Sequence, residues 1–140
     1  MQLTPGANAA LSGLSQIATI TWDHQPGSAD IDISAYLLGE NGKTSSDADM
    51  IFYGQPNGPG VALTIDQTAR QARLTLDLAA VPANAARIAI CAVIDTASNP
   101  AARLADAGVL RFANHQHDFA VDLAARTEQA LILAEFYRRG

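Results

Sequence analysis

The chain has 140 residues, of which 49% are hydrophobic and 16% charged, with a formal net charge of -5. That length suits a single domain with a packed core, and that composition excludes a disordered chain. The acidic balance argues against a general nucleic-acid binder, whose footprint is basic, and no run approaches the ~20 apolar residues of a membrane-crossing helix.

The opening stretch "MQLTPGANAALSG" has neither a basic start nor a continuous apolar core, so no secretory signal is expected from it. Next, "IATITW" (17–22) alternates with period two, and its more apolar face holds Ala18, Ile20 and Trp22. "IDISAYLL" (31–38) alternates Ile31, Ile33, Ala35 and Leu37 against Asp32, Ser34, Tyr36 and Leu38. "MIFY", "VALTI", "ARLTLDL", "RIAICAVI", "GVLRF" and "DFAVDL" follow at strand length, many separated by Gly, Pro, Asn or Asp. Short strands at such spacing predict an all-β protein, a sandwich or barrel.

Two segments read differently. "NPAARLADAG" (99–108) offers Asn99 as a cap, Pro100 at the first helical position and Gly108 as a stop, which predicts a short helix or helical turn. "RTEQALILAEFYRRG" (126–140) consists mostly of good helix formers, yet it also alternates as a strand, and periodicity does not decide between the two.

The densest cluster of acids lies in "DIDISAYLLGENGKTSSDADMIFY" (30–53), around Asn41-Gly42. Asn-Gly is a strong hairpin signal. Pairing the odd apolar face of the first strand with Ala48, Met50 and Phe52 of the second predicts a register in which paired numbers add to about 83. Asp30, Asp32 and Ser34 then share a face with Asp47 and Asp49. Crowded like charges are destabilising, and a hard cation such as Ca²⁺, which takes oxygen ligands in flexible geometry, relieves them. Solvated surface acids are the other reading of the same spacing. The segment is not an EF-hand loop, because Ala35 and Asn41 stand where that loop needs its glycine and its bidentate Glu.

Other chemistry is thinly represented. Cys91 is a single cysteine inside an apolar run, which predicts a buried structural thiol and excludes an internal disulfide; this fits a cytoplasmic protein. His115-x-His117 lacks the further ligands a zinc site needs and reads as a polar turn. His24 follows Trp22-Asp23 at a strand end. Trp22 and Phe52 read as core or cross-strand aromatics. No nucleophile–base pair and no phosphate loop is recognisable, so a non-enzymatic protein is expected.

"TWD" (21–23), "DIDISAYLL" (30–38), "GK" (42–43), "SDADMIFYG" (46–54), "LDLAAVP" (76–82), "RIAICAVID" (87–95) and "ALILAEFYRRG" (130–140) occur in that order. Together they resemble the TerD-like family of tellurium-resistance and bacterial stress proteins over most of the chain. The resemblance implies a single-domain β-sandwich of two mainly antiparallel sheets with one short helical segment, and it favours a strand over 130–138. It implies calcium binding through Asp30, Asp32, Asp47 and Asp49, with Ser34 and Asp66 as further candidates. It also implies an accessory, non-catalytic role in tellurite and stress resistance. The acid-rich hairpin and the missing catalytic constellation add the expectation of a calcium-fixed surface presented to another protein, the alternative being a metal-independent interaction or assembly module that has lost calcium binding. Three departures accompany it. Gly54 stands where the family has Asn, the acidic glycine-rich loop of the family is reduced to "TIDQTARQ" (64–71), and a further strand containing Trp is expected after "YRRG". The shortened loop lowers the expectation to one weak calcium site or none. An open sheet edge near the C-terminus is expected to be covered by a homodimer or by the N-terminal segment.

Overall fold

A computed structural model describes residues 13–24, 29–95, 100–114, 116–123 and 129–137. The alternating segments become ten strands: β1 (Ser15–Trp22), β2 (Ile31–Leu38), β3 (Met50–Ile51), β4 (Asn57–Gly58), β5 (Val61–Asp66), β6 (Gln71–Asp77), β7 (Arg87–Ile94), β8 (Val109–Ala113), β9 (Asp118–Asp122) and β10 (Ala130–Tyr137). They form a six-stranded sheet in the order β4-β5-β6-β1-β8-β9 and a four-stranded sheet in the order β10-β7-β2-β3. Every ladder between them is antiparallel. The expected two-sheet sandwich is the observed one.

Period-two alternation decides which face each strand buries. From the larger sheet Ala18, Ile20, Trp22, Leu63, Ala72, Leu74, Leu76, Leu110 and Phe112 point inward. The smaller sheet answers with Ile31, Ile33, Ala35, Leu37, Ile51, Ile88, Ile90, Ala92 and Ile94. The predicted apolar faces of β1 and β2 are thus the buried ones.

The two sheets differ on their outer faces. Across β5, β6 and β1 the larger sheet presents Thr64, Asp66, Arg73, Thr75, Asp77 and Thr21, the polar surface expected of a half-solvated antiparallel sheet. The smaller sheet turns Val93, Cys91, Ala89, Tyr36 and Met50 outward.

Three sequence expectations are refined. The helical turn of 99–108 is a 3-10 helix over Leu104–Ala107, stopped by Gly108 at φ 78°. Its first N–H groups are served by Asp106, whose carboxylate accepts the Arg103 N–H at 3.2 Å; Asn99 lies outside the described residues. The segment 130–138, where propensity favoured helix, is strand β10 up to Tyr137, because Leu131, Leu133 and Phe136 reach the core only in extended form. Propensity yields to tertiary burial there.

The hairpin register is corrected. β2 and β3 pair Ala35 with Ile51 and Tyr36 with Met50, so paired numbers add to 86 rather than about 83. Residues Asp47–Asp49 form a 3-10 helix instead of extending the strand. The reason is burial: Ile51 is fully enclosed, whereas Ala48 is exposed and Met50 and Phe52 are half-buried. The Gln55 side chain fixes this arrangement by donating to the carbonyls of Asp47 at 2.7 Å and Met50 at 2.6 Å. Asn41-Gly42 does turn the chain, with Gly42 at φ 76°, but within a longer loop closed by the Gly39 N–H on the Lys43 carbonyl at 2.9 Å.

Candidate functional site

The corrected register separates the acids expected to converge. Continued one step, it sets Asp49 level with Leu37, five residues along β2 from Asp32, a span of roughly 16 Å at ~3.3 Å per residue. Carboxylates sharing a calcium ion lie within ~2.6 Å of it. Asp32 and Asp49 therefore occupy different ends of the smaller sheet.

Each candidate side chain has a local setting. The Asp49 carboxylate accepts the Ser45 N–H at 2.9 Å, tying the loop before the 3-10 helix. Asp47 is exposed on that helix. Ser34 is 4% exposed and donates its hydroxyl to the Tyr36 oxygen at 3.2 Å, across the outer face of β2. The Asp66 carboxylate accepts the Ala69 N–H at 3.0 Å and braces the β5–β6 turn. Gln67 in that turn donates to the Ile31 carbonyl at 2.7 Å, so the turn docks beside the Asp30–Asp32 stretch.

What the fold gathers is a different trio. Strand β7 runs antiparallel to β2 with Asp32 opposite Val93, and the Asp95 N–H bonds the Asp30 carbonyl at 2.9 Å. Asp95 thereby joins Asp30 and Asp32. Burial, then the charges of Asp95 and Asp30, push the Asp32 carboxyl above its ordinary value of 3.8. Asp95 was missed from sequence because nothing local says which strand ends lie together. Among the described residues no group of three His, Cys, Asp or Glu side chains has the arrangement to hold a metal ion. Among the described residues the trio repels without closing the six-oxygen shell that calcium takes.

Asp23 behaves oppositely. Its carboxylate accepts from Arg111 at 2.8 Å and from the Val109 N–H at 3.3 Å, and these bonds hold its pKa below the ordinary 3.8. It ties the end of β1 to β8. His24, next in sequence, donates its backbone N–H to the Ala107 carbonyl at 3.1 Å. His117 lies in the turn between β8 and β9, whose Asn114 N–H bonds the His117 carbonyl at 2.9 Å; His115 is outside the described residues. Cys91 sits half-buried on the outer face of β7, and burial followed by the charge of Glu135 pushes its thiol above 9.0. That is an inert setting for a nucleophile.

A second candidate surface is the sheet edges. An unpaired edge strand is a template for another chain, and proteins blunt edges by shortness, charge or bulges. Strands β3 and β4 are two residues long, and β9 carries Asp118 and Asp122 at its ends. Strand β10 spans eight residues, has one charge, Glu135, and pairs only with β7 among the described residues. Glu135 leans toward Arg87 at 3.5 Å. Ile132 and Tyr137 on this strand are 60% and 50% exposed. Beside this edge, several hydrophobics packed on the core are only partly buried. Leu131, Leu133, Phe136 of β10 and Phe119, Val121 of β9 stay half-buried against it. Phe112 bridges them, stacked on Phe119 at 4.8 Å and tilted to Phe136 at 6.4 Å. Sequence reasoning expected a sheet edge near the C-terminus without singling out Ile132 or Tyr137; among the described residues β10 is paired on one side.

The two-layer antiparallel sandwich, with acids gathered at one end and, among the described residues, a strand β10 paired on one side only, thus defines the chain as an all-β sandwich protein. Comparison with known proteins narrows it. A family model described as the TerD domain matches residues 1–140, and the chain belongs to the TerD family, of the tellurium-resistance type. Two solved structures share the fold. A homologue of the telluride resistance protein TerD, SCO6318 from Streptomyces coelicolor A3(2), superposes with a TM-score of 0.70 at 16% identity, covering 91% of this chain and 83% of that one. SAV2460, described as a protein of unknown function, gives 0.67 at 20% identity over the same shares of both chains. No helix among the described residues is long and apolar enough to cross a membrane.

Proposed function

We propose that this chain is a non-enzymatic interaction module of the tellurium-resistance and stress-response type, and that its working surface is the open edge of β10. The observation that carries this reading is the contrast between that edge and the other three: it is long, nearly uncharged and flanked by half-covered core. Main-chain pairing at such an edge supplies affinity, and alternate side chains supply selectivity. The test is tolerance of tellurite in a sensitive bacterium supplied with the gene. Wild type raises tolerance, Ile132→Lys abolishes it, and Asp49→Asn leaves it intact. Full tolerance with Ile132→Lys overturns the reading.

A second reading, calcium binding, rests on Asp32. Its carboxyl is half-buried beside two other acids, and a loosely held Ca²⁺ near Asp30, Asp32 and Asp95 relieves that repulsion. Asp47, Asp49, Ser34 and Asp66 take no direct part in this version, since their oxygens serve other bonds or lie apart. NMR titration with calcium tests it: shifts confined to residues 30–32 and 95 and lost in Asp32→Asn support it, and an unchanged spectrum at millimolar calcium removes it.

A further inference from the structure

The edge of β10 has a symmetry that specifies its occupant. Its register against β7 shifts between Ile132 and Ala134, so Leu133 is an extra residue, a β-bulge. The bulge reverses the phase of the strand. Before it, the even residues Ala130 and Ile132 are exposed; after it, the odd residues Glu135 and Tyr137 are. The half-buried residues Leu131, Leu133, Ala134 and Phe136 fill the other places. Read in either direction, the exposure pattern of β10 is the same, with its centre at the bulge.

A two-fold axis perpendicular to a sheet keeps outward side chains outward while reversing strand direction. Antiparallel self-pairing therefore matches faces only where the pattern is symmetric about its centre. An unbulged strand centred between two residues would pair inward with outward positions. We infer that the edge of β10 left unpaired among the described residues pairs antiparallel with β10 of a second copy of this chain, about a two-fold axis at the Leu133 bulge. This rests on the reading of the β10 edge as the working surface and names what sits there.

In that pairing Ala130 lies level with Tyr137 of the second copy, Leu131 with Phe136, and Ile132 with Glu135. Leu131 and Phe136, half-buried in one copy, complete each other's cover. Charge agrees with direction. The β2–β7 end carrying Asp30, Asp32 and Asp95 borders the start of β10, and Arg87 borders its end at Tyr137. Reversed copies bring unlike ends together, whereas parallel copies would bring like ends together. The interface is isologous, as two-fold interfaces are.

Sedimentation of the full chain from micromolar to millimolar concentration tests the inference. Wild type shows a concentration-dependent shift from monomer to dimer mass. Ile132→Lys, which places a charge on an already exposed position of the edge, leaves only monomer, with the melting curve that wild type shows when diluted to monomer. Ile17→Lys, on the outer face of the larger sheet, leaves the dimer as it was. The register is read separately in a Cys91→Ser background: chains carrying Ala130→Cys and chains carrying Tyr137→Cys crosslink when mixed, and neither crosslinks alone. A single monomer mass throughout, or crosslinking of Ala130→Cys chains with themselves, overturns the inference. If wild type is monomeric and Ile132→Lys still abolishes tellurite tolerance, the second copy falls while the β10 reading stands. If wild type dimerises through β10 and Ile132→Lys keeps full tolerance, the reading falls and the dimer stands.

Discussion

Asp95 donates its backbone N–H to the carbonyl of Asp30 at 2.9 Å, and this bond brings the acid ending β7 to the acids that begin β2. Asp32 is half-buried in their midst, with its pKa raised. A carboxyl raised in the folded state binds its proton more tightly there than in the unfolded chain, so its stabilising protonated form is lost as pH rises through the folded value. Asp32→Asn therefore stabilises the fold at neutral pH and flattens the fall in stability above pH 3.8. Urea midpoints measured against pH check this. Asp95→Asn lowers the Asp32 pKa, read from its carboxyl carbon resonance.

Cys91 is predicted to be sluggish. Its thiol is pushed up by burial and by Glu135, so less thiolate exists at a given pH than in a free peptide. Alkylation of the native protein at mildly alkaline pH is slower than that of the urea-unfolded chain. Glu135→Gln removes the nearby negative charge and speeds the native reaction. An unchanged rate in that variant contradicts the assignment.

The β4–β5 hairpin depends on one glycine. Pro59 and Gly60 link Gly58 to its partner Val61, with Gly60 at φ 77°. A Cβ on Gly60 would stand 2.7 Å from both the Asp77 carbonyl oxygen and a Val81 methyl. Gly60→Ala combines a left-handed backbone with a clash against main chain, and a loss of about 1–3 kcal/mol is expected. Chemical denaturation measures it.

The register of the β2–β3 pair can be tested through its buried residue. Ile51 is fully enclosed and Met50, next to it, faces outward opposite Tyr36. Truncating a fully buried Ile costs about 2–5 kcal/mol, so Ile51→Ala destabilises strongly and Met50→Ala much less. A larger loss from Met50→Ala than from Ile51→Ala would speak for the slipped register.

These residues also show what was legible in the sequence. Alternation identified β1, β2 and most other strands, because a half-buried strand writes its faces into every second residue. It misjudged the stretch after Ser46. Ala48, Met50 and Phe52 looked like an apolar face free of carboxylates, but the enclosed residue is Ile51, and its neighbours are set by Gln55 binding back to two carbonyls. That fold-back is a side-chain event with no period to reveal it. The candidate acids suffered accordingly. Asp30 and Asp32 are adjacent because they lie two residues apart where β2 begins, while Asp47 and Asp49 depended on the register and moved away with it. Asp95 joined through a ladder between strands far apart in sequence, a pairing no local pattern encodes. In β10 the competing helical propensity was resolved by the resemblance, and the phase reversal at Leu133 became visible only in the ladder with β7.

Because β3 and β4 are two residues long and β9 ends in acids, association through β10 is self-limiting. A head-to-head pair uses up its long edge in both members, and the borders left over are too brief or too charged to recruit a third. Pairing at β10 therefore gives a finite particle rather than a growing fibre, so that joining sheets does not become polymerisation.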